Sequence, residues 1–124
     1  MSDCCGGGKR NVLLYSCSGA ANVAEVADLA ARRLMAEGEG MMWCLAAVGA
    51  NIEVLVDKAR GADLSLVLDG CPMDCAKKIL DNAGIENAVQ IKVTDLGIEK
   101  SKGVRATEEQ VERVVLRAKE VLGE

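Results

Sequence analysis

Four short apolar runs alternate with amphipathic stretches along this chain, and that alternation restricts the fold more than any other feature. Residues 11–16, 40–45, 64–68 and 88–93 are each the length of a buried strand rather than of a helix. After the first run, Val23, Val26, Ala27, Ala30 and Leu34 recur at helical spacing, and Arg32, Arg33 and Glu37 fall off that stripe. This predicts a helix ending near Gly38. Residues 46–50 read as a small-residue turn, and Asn51 as the cap of a short helix reaching about Arg60, with Gly61 behind it. After Asp69-Gly70, Cys71 stands at a cap position and Pro72 in the first turn of a helix that runs to about Asn82 and stops at Gly84. Residues 95–103 form a polar loop. Thr107 and Gln110 make a capping box for a last helix, whose stripe is Val111, Val114, Val115, Ala118, Val121 and Leu122.

Strands alternating with helices imply a parallel sheet covered on both faces. The expected fold is α/β, a small doubly wound three-layer domain of Rossmann-like or flavodoxin-like kind with a four-stranded parallel sheet. A length of 124 residues fits one domain, expected over residues 11–124 behind a glycine-rich N-terminal tail at 1–10.

Composition narrows the chemistry. With no His, Ser-His-Asp and Cys-His dyads and imidazole metal ligands are excluded. Tyr15 and Trp43 alone could stack on a nucleobase. The net charge of −4 and pI near 4.9 point away from nucleic acid and anionic membranes. No apolar run approaches the ~20 residues of a membrane span, and the polar, glycine-rich start lacks a signal-peptide pattern. The expected compartment is the cytoplasm.

Against that background the six cysteines stand out: Cys4, Cys5, Cys17, Cys44, Cys71 and Cys75. In a reducing compartment, clustered cysteines bind metal or do redox chemistry more often than they form structural disulfides. Cys17 and Cys44 end the first two strands and Cys71 follows the third. All strands of a parallel sheet point one way, so these thiols gather at the edge where open α/β sheets bind ligands. A helix beginning at Cys71 would put Cys75 one turn on, on the same face, with both sulfurs near the positive end of the helix dipole, which favours thiolate. Cys4 and Cys5 could form a tethered pair within reach of that site.

Other chemistries fall away. A Cys-x5-Arg phosphate loop would need Arg where Val23 stands. Gly6-Gly7-Gly8-Lys9 precedes a strand, whereas a P-loop follows one, and no GxGxxG follows the first strand. Residues 18–22 could present backbone amides to an anion, but a plain strand-to-helix turn is the favoured reading of them. Asp69 reads as a turn residue or a supporting acceptor, Asp74 as a charge partner of a helix N-terminus. Lys77, Lys78, Lys100 and Lys102 read as solvated surface lysines.

Tyr15-Ser16-Cys17-Ser18-Gly19, Cys44-Leu45-Ala46 with Gly49-Ala50, and Asp69-Gly70-Cys71-Pro72-Met73-Asp74-Cys75-Ala76-Lys77-Lys78 resemble the DGC-domain family. Thr94-Asp95-Leu96-Gly97-Ile98-Glu99-Lys100 is similar to a later motif of that family. The resemblance covers residue 11 to about residue 103; Val23-Ala24 follows Asn22 where the family carries Gly-Gln. It implies a zinc-binding protein with the family's cysteines at Cys17, Cys44, Cys71 and Cys75.

Three functions compete. A metal-binding module would use Cys17, Cys44, Cys71 and Cys75 as thiolate ligands for zinc, an iron–sulfur cluster or Cu(I). A redox or sulfur-transfer enzyme would use Cys71 and Cys75 as its reactive pair. A regulatory or scaffold domain would only bury its cysteines. Zinc binding is the favoured expectation. No catalytic residue is assigned.

Overall fold

A computed structural model describes residues 10–124; the expected tail, with Cys4 and Cys5, lies outside the described residues apart from Arg10. Four strands form one parallel sheet: β1 (Val12–Ser16), β2 (Met41–Met42), β3 (Leu64–Asp69) and β4 (Ala88–Lys92). Their order is β2-β1-β3-β4. The chain leaves β1 toward one side to make β2, then returns to the other side for β3 and β4. The order therefore reverses between β1 and β3, the kind of switch point that opens a crevice at the C-terminal ends of the strands.

The α/β class is as expected, with helices on both faces of the sheet. Side-chain alternation divides the core. Val12 and Leu14 of β1, with Leu66 and Leu68 of β3, pack under α1 (Asn22–Ala36) and α5 (Glu108–Leu122). Leu13, Tyr15 and Val67 face the opposite layer, made by α2 (Leu45–Gly49), α3 (Glu53–Arg60) and α4 (Cys75–Asn82). Strands buried on both faces read as continuous apolar runs, which is why β1 and β3 were legible. On α1 the stripe of Ala27, Ala30 and Ala31 is fully buried and lets α5 and the sheet approach closely. The predicted capping box is present: Gln110 N donates to Thr107 Oγ1 at 3.2 Å and Thr107 N to Gln110 Oε1 at 3.0 Å.

Three local expectations are corrected. The second strand is only Met41–Met42, so Cys44 does not end it; Cys44 is the N-cap residue of α2, and residues expected as a turn are helical. Trp43 sets the break: its backbone still bonds to Leu14 O, but its indole N–H donates to Leu55 O at 3.0 Å, turning the chain out of the sheet. Asn51 does not cap α3; it takes a left-handed φ of 58°, and Ile52 occupies the cap. The helix after β3 starts at Cys75, not at Pro72. Asp74 stands before it with a φ of 56°, so the backbone from Cys71 to Asp74 is a turn, and Cys71 and Cys75 do not share a helix face. A short 3-10 turn (Val93–Leu96) follows β4.

Candidate functional site

The switch point between β1 and β3 opens into a cleft of about 160 Å³. Cys17, Gly70, Cys71 and Cys75 line it, with Asp69, Asp74, the 18–21 turn, Lys100 and Lys102. Three of the four predicted thiols thus meet at one place. Cys17 comes from the end of β1, Cys71 from the turn after β3 and Cys75 from the first residue of α4. The fourth, Cys44, is exposed on the same edge of the sheet but outside the cleft lining. Among the described residues, no group of three or more His, Cys, Asp or Glu side chains is drawn together tightly enough to hold a metal ion. The thiols line an open cleft rather than a closed cage.

The two halves of the cleft are locked to each other. Cys17 N donates to Leu68 O at 3.1 Å, and Gly70 N donates to Cys17 Sγ at 3.2 Å. Burial pushes the Cys17 thiol up from its ordinary pKa; the Gly70 N–H opposes that, and the Asp69 charge adds to it. Gly70 is required by space. A Cβ there would stand 2.9 Å from Val23 Cγ2 and 3.0 Å from the Val23 carbonyl carbon, so no larger residue lets β3 end this close to α1.

Asp69 does more than turn the chain. It is the last residue of β3, it is buried, and the strand's alternation points it toward α4. Its carboxylate accepts from Ala76 N at 2.9 Å and Lys77 N at 3.1 Å, so it caps α4 from a distance. It also accepts from Gln90 Nε2 at 2.8 Å. The same amide nitrogen donates to Asp74 Oδ1 at 2.9 Å, and Lys92 Nζ stands 3.3 Å from that oxygen. These bonds from Gln90 and Lys92 hold the Asp74 carboxyl below its ordinary pKa range. Asp74 is therefore tied to β4, and does not cap α4 with its side chain.

The far wall of the cleft is a strap at residues 99–103. Asn22, buried at the start of α1, donates through Nδ2 to Glu99 O at 2.9 Å and accepts from Ser101 N at 2.7 Å through Oδ1. Asn22 N donates to Ser101 O at 2.9 Å, Gly103 N to Ala20 O at 3.0 Å, and Ala21 pairs antiparallel with Lys102. This pinning brings Lys100 Nζ to 3.5 Å from Cys71 Sγ. Lys100 and Lys102 are exposed, as expected of surface lysines, and also line the cleft; the roles of Asn22 and Gln90 are not evident from the sequence. A polar residue opening an otherwise apolar helical stripe was the available signal for Asn22.

The comparisons with known proteins agree with the motifs. A model of the DGC domain matches residues 13–118. The chain is 33% identical over 110 residues to the anaerobic and virulence modulator AnvM of Pseudomonas aeruginosa, covering 89% of this chain and 84% of that protein. No solved structure matches significantly. Among the described residues no helix is long and apolar enough to cross a membrane. With its Asp69-Gly70-Cys71 triplet at the switch point of the sheet and a match that runs from β1 through α1 and into α5, the chain belongs to the DGC-domain family.

Proposed function

We propose that this chain is a regulatory thiol module that binds zinc through Cys17, Cys71 and Cys75. The observation that carries the reading is the donor set of the cleft. Both oxygens of Asp69 are taken up by backbone amides and Gln90, and Asp74 is engaged by Gln90 and Lys92. The ligands left over are sulfur, and sulfur suits zinc, with Zn–S bonds of about 2.3 Å, or Cu(I). An iron–sulfur cluster asks for four cysteines, and the cleft offers three. Zinc held by three thiolates keeps a position for an outside ligand and acts there as a Lewis acid.

A regulatory role rests on the relative, named as an anaerobic and virulence modulator. We place the chain in the reducing cytoplasm, where unpaired thiols persist. Its acidic charge argues against nucleic acid and anionic membranes as partners. A second reading, thiol redox or sulfur transfer through Cys71 and Cys75, draws support from Cys75 at the first position of α4 and from the Lys100 amine beside Cys71.

The test is elemental analysis and an absorption spectrum on protein purified without oxygen. Near-stoichiometric zinc in a colourless sample is expected, lost in Cys17→Ser, Cys71→Ser and Cys75→Ser and kept in Cys44→Ser. Iron with sulfide and a visible band would replace zinc by a cluster. A metal-free protein whose thiols oxidise in pairs would overturn metal binding and leave the redox reading.

A further inference from the structure

The cleft carries a feature that the thiols do not use. Many basic side chains on this surface pair with carboxylates, including Arg33 with Glu108, Lys77 with Asp81, Lys92 with Asp74, Arg105 with Glu25 and Lys119 with Glu37. Lys100 and Lys102, like Lys58 and Lys78, have no carboxylate partner among the described residues, and of these four Lys100 and Lys102 line the cleft, on a chain whose net charge is −4. The fold pins the backbone that carries both on the cleft wall. Asn22 spends a buried side-chain amide on holding the backbone on either side of Lys100, and Lys102 is held by its antiparallel pairing with Ala21.

Facing them is the turn from β1 to α1. The backbone N–H groups of Ser18, Gly19 and Ala20 donate to no acceptor among the described residues, and all three residues line the cleft. Gly19 has open space where a side chain would be. The two carboxylates in the lining are offset in part, Asp69 by the amides at the start of α4 and Gln90, and Asp74 by Gln90 and Lys92, and the lysines supply the positive charge that outweighs what remains. Successive free amides and two lysines whose backbone is pinned, all lining one cleft, suit an oxyanion. The cavity, about 160 Å³, is well under the roughly 300–1,000 Å³ of sites for drug-sized ligands, so the occupant is compact.

We infer that the cleft is a binding site for a small oxyanion, a phosphate or sulfate or the terminal group of a small phosphorylated or sulfonated molecule, held by Lys100, Lys102 and the amides of Ser18, Gly19 and Ala20. This site adjoins the thiols and does not depend on their binding zinc.

The experiment is a titration of the full-length chain with inorganic phosphate, and separately with sulfate, followed by amide NMR shifts with sodium chloride at matched ionic strength as control. Saturable shifts at Ser18, Gly19 and Ala20 are expected, before and after chelator treatment. Lys100→Gln and Lys102→Gln should each weaken binding about tenfold, and Lys58→Gln, remote from the cleft, should leave it unchanged. A phosphorylated small molecule binding tighter than both free ions would identify the larger source; equal affinity would identify the free ion. Shifts that follow ionic strength alone would overturn the site. So would shifts lost with the chelator, which would make the anion a metal ligand, and shifts insensitive to both lysine substitutions.

Discussion

Replacing Asp69 by Ala should destabilise the fold out of proportion to the size of the change. Three donors converge on this buried carboxylate: Ala76 N, Lys77 N and Gln90 Nε2, at 2.9, 3.1 and 2.8 Å. A hydrogen bond to a charged group contributes about 1.5–3 kcal/mol, so independent bonds would total about 4.5–9 kcal/mol. They are not independent, and water can reach Lys77 N and Gln90 once the carboxylate is gone. The Ala76 N–H is in a buried setting and is left without an acceptor. The expected loss is about 3–4 kcal/mol, a large part of the ~5–15 kcal/mol that holds a domain together. Urea unfolding followed by far-UV circular dichroism measures it, with Asp69→Asn, which keeps one acceptor oxygen, falling between Ala and wild type. Gln90→Ala should cost less on the Asp69→Ala background than alone. A loss below about 1 kcal/mol for Asp69→Ala would refute the remote cap and the account of how α4 is held.

Gly70→Ala should force the start of α1 away from β3, because the new methyl would meet Val23 backbone at 3.0 Å; a loss of about 1–3 kcal/mol in thermal or urea unfolding is expected, together with faster alkylation of Cys17. Glu25, Asp74 and Glu108 are held below their ordinary pKa values, chiefly by hydrogen bonds from Arg105, Gln90 and Arg33 respectively. The unfolded chain takes up their protons first as pH falls, so the stabilisation is whole above the ordinary carboxylate range and disappears as pH drops through the lowered values. A Tm measured across pH 6 to pH 3 should fall mainly in the lower part of that range, about where these groups titrate. Burial pushes the Tyr15 phenol up to about 12 from 10.0, so stability should be complete below pH 10 and decline as pH rises toward 12; absorbance at about 295 nm should show the phenol ionising late, or together with unfolding.

Period and punctuation carried most of the fold. β1, β3, α1 and α5 were legible because each buries a continuous run or a stripe long enough to show its repeat. The second strand was not, since residues 40–45 are equally apolar whether they pair or pack from a loop, and the Trp43 bond to Leu55 that decides the matter is tertiary. The start of α4 misled for a related reason. Pro72 suits a first helical turn, but Asp69 had already taken the capping role from the end of β3, which left the helix to begin at Cys75. Three of the four predicted thiols do share one cleft, because strand ends in a parallel sheet must share an edge. Which of them share the cleft depended on the strand order, and Cys44, at the cap of α2 beyond the outer strand, fell outside the lining. The lysine strap was invisible in the sequence, because its position depends on Asn22 reaching residues 77 and 79 places further along.

That long reach bears on how the protein comes into being on the ribosome. Cys17, Cys71 and Cys75 are synthesised well before the strap, and β1 through β4 can pair once residue 92 has emerged. Until residues 99–103 follow, the crevice lacks its far wall, and Lys100 is not yet beside Cys71. During synthesis, therefore, Cys17, Cys71 and Cys75 all emerge before the residues that bring a lysine beside Cys71. Chaperoning, metal delivery or accidental oxidation during that interval would act on a different surface from the one the finished protein presents.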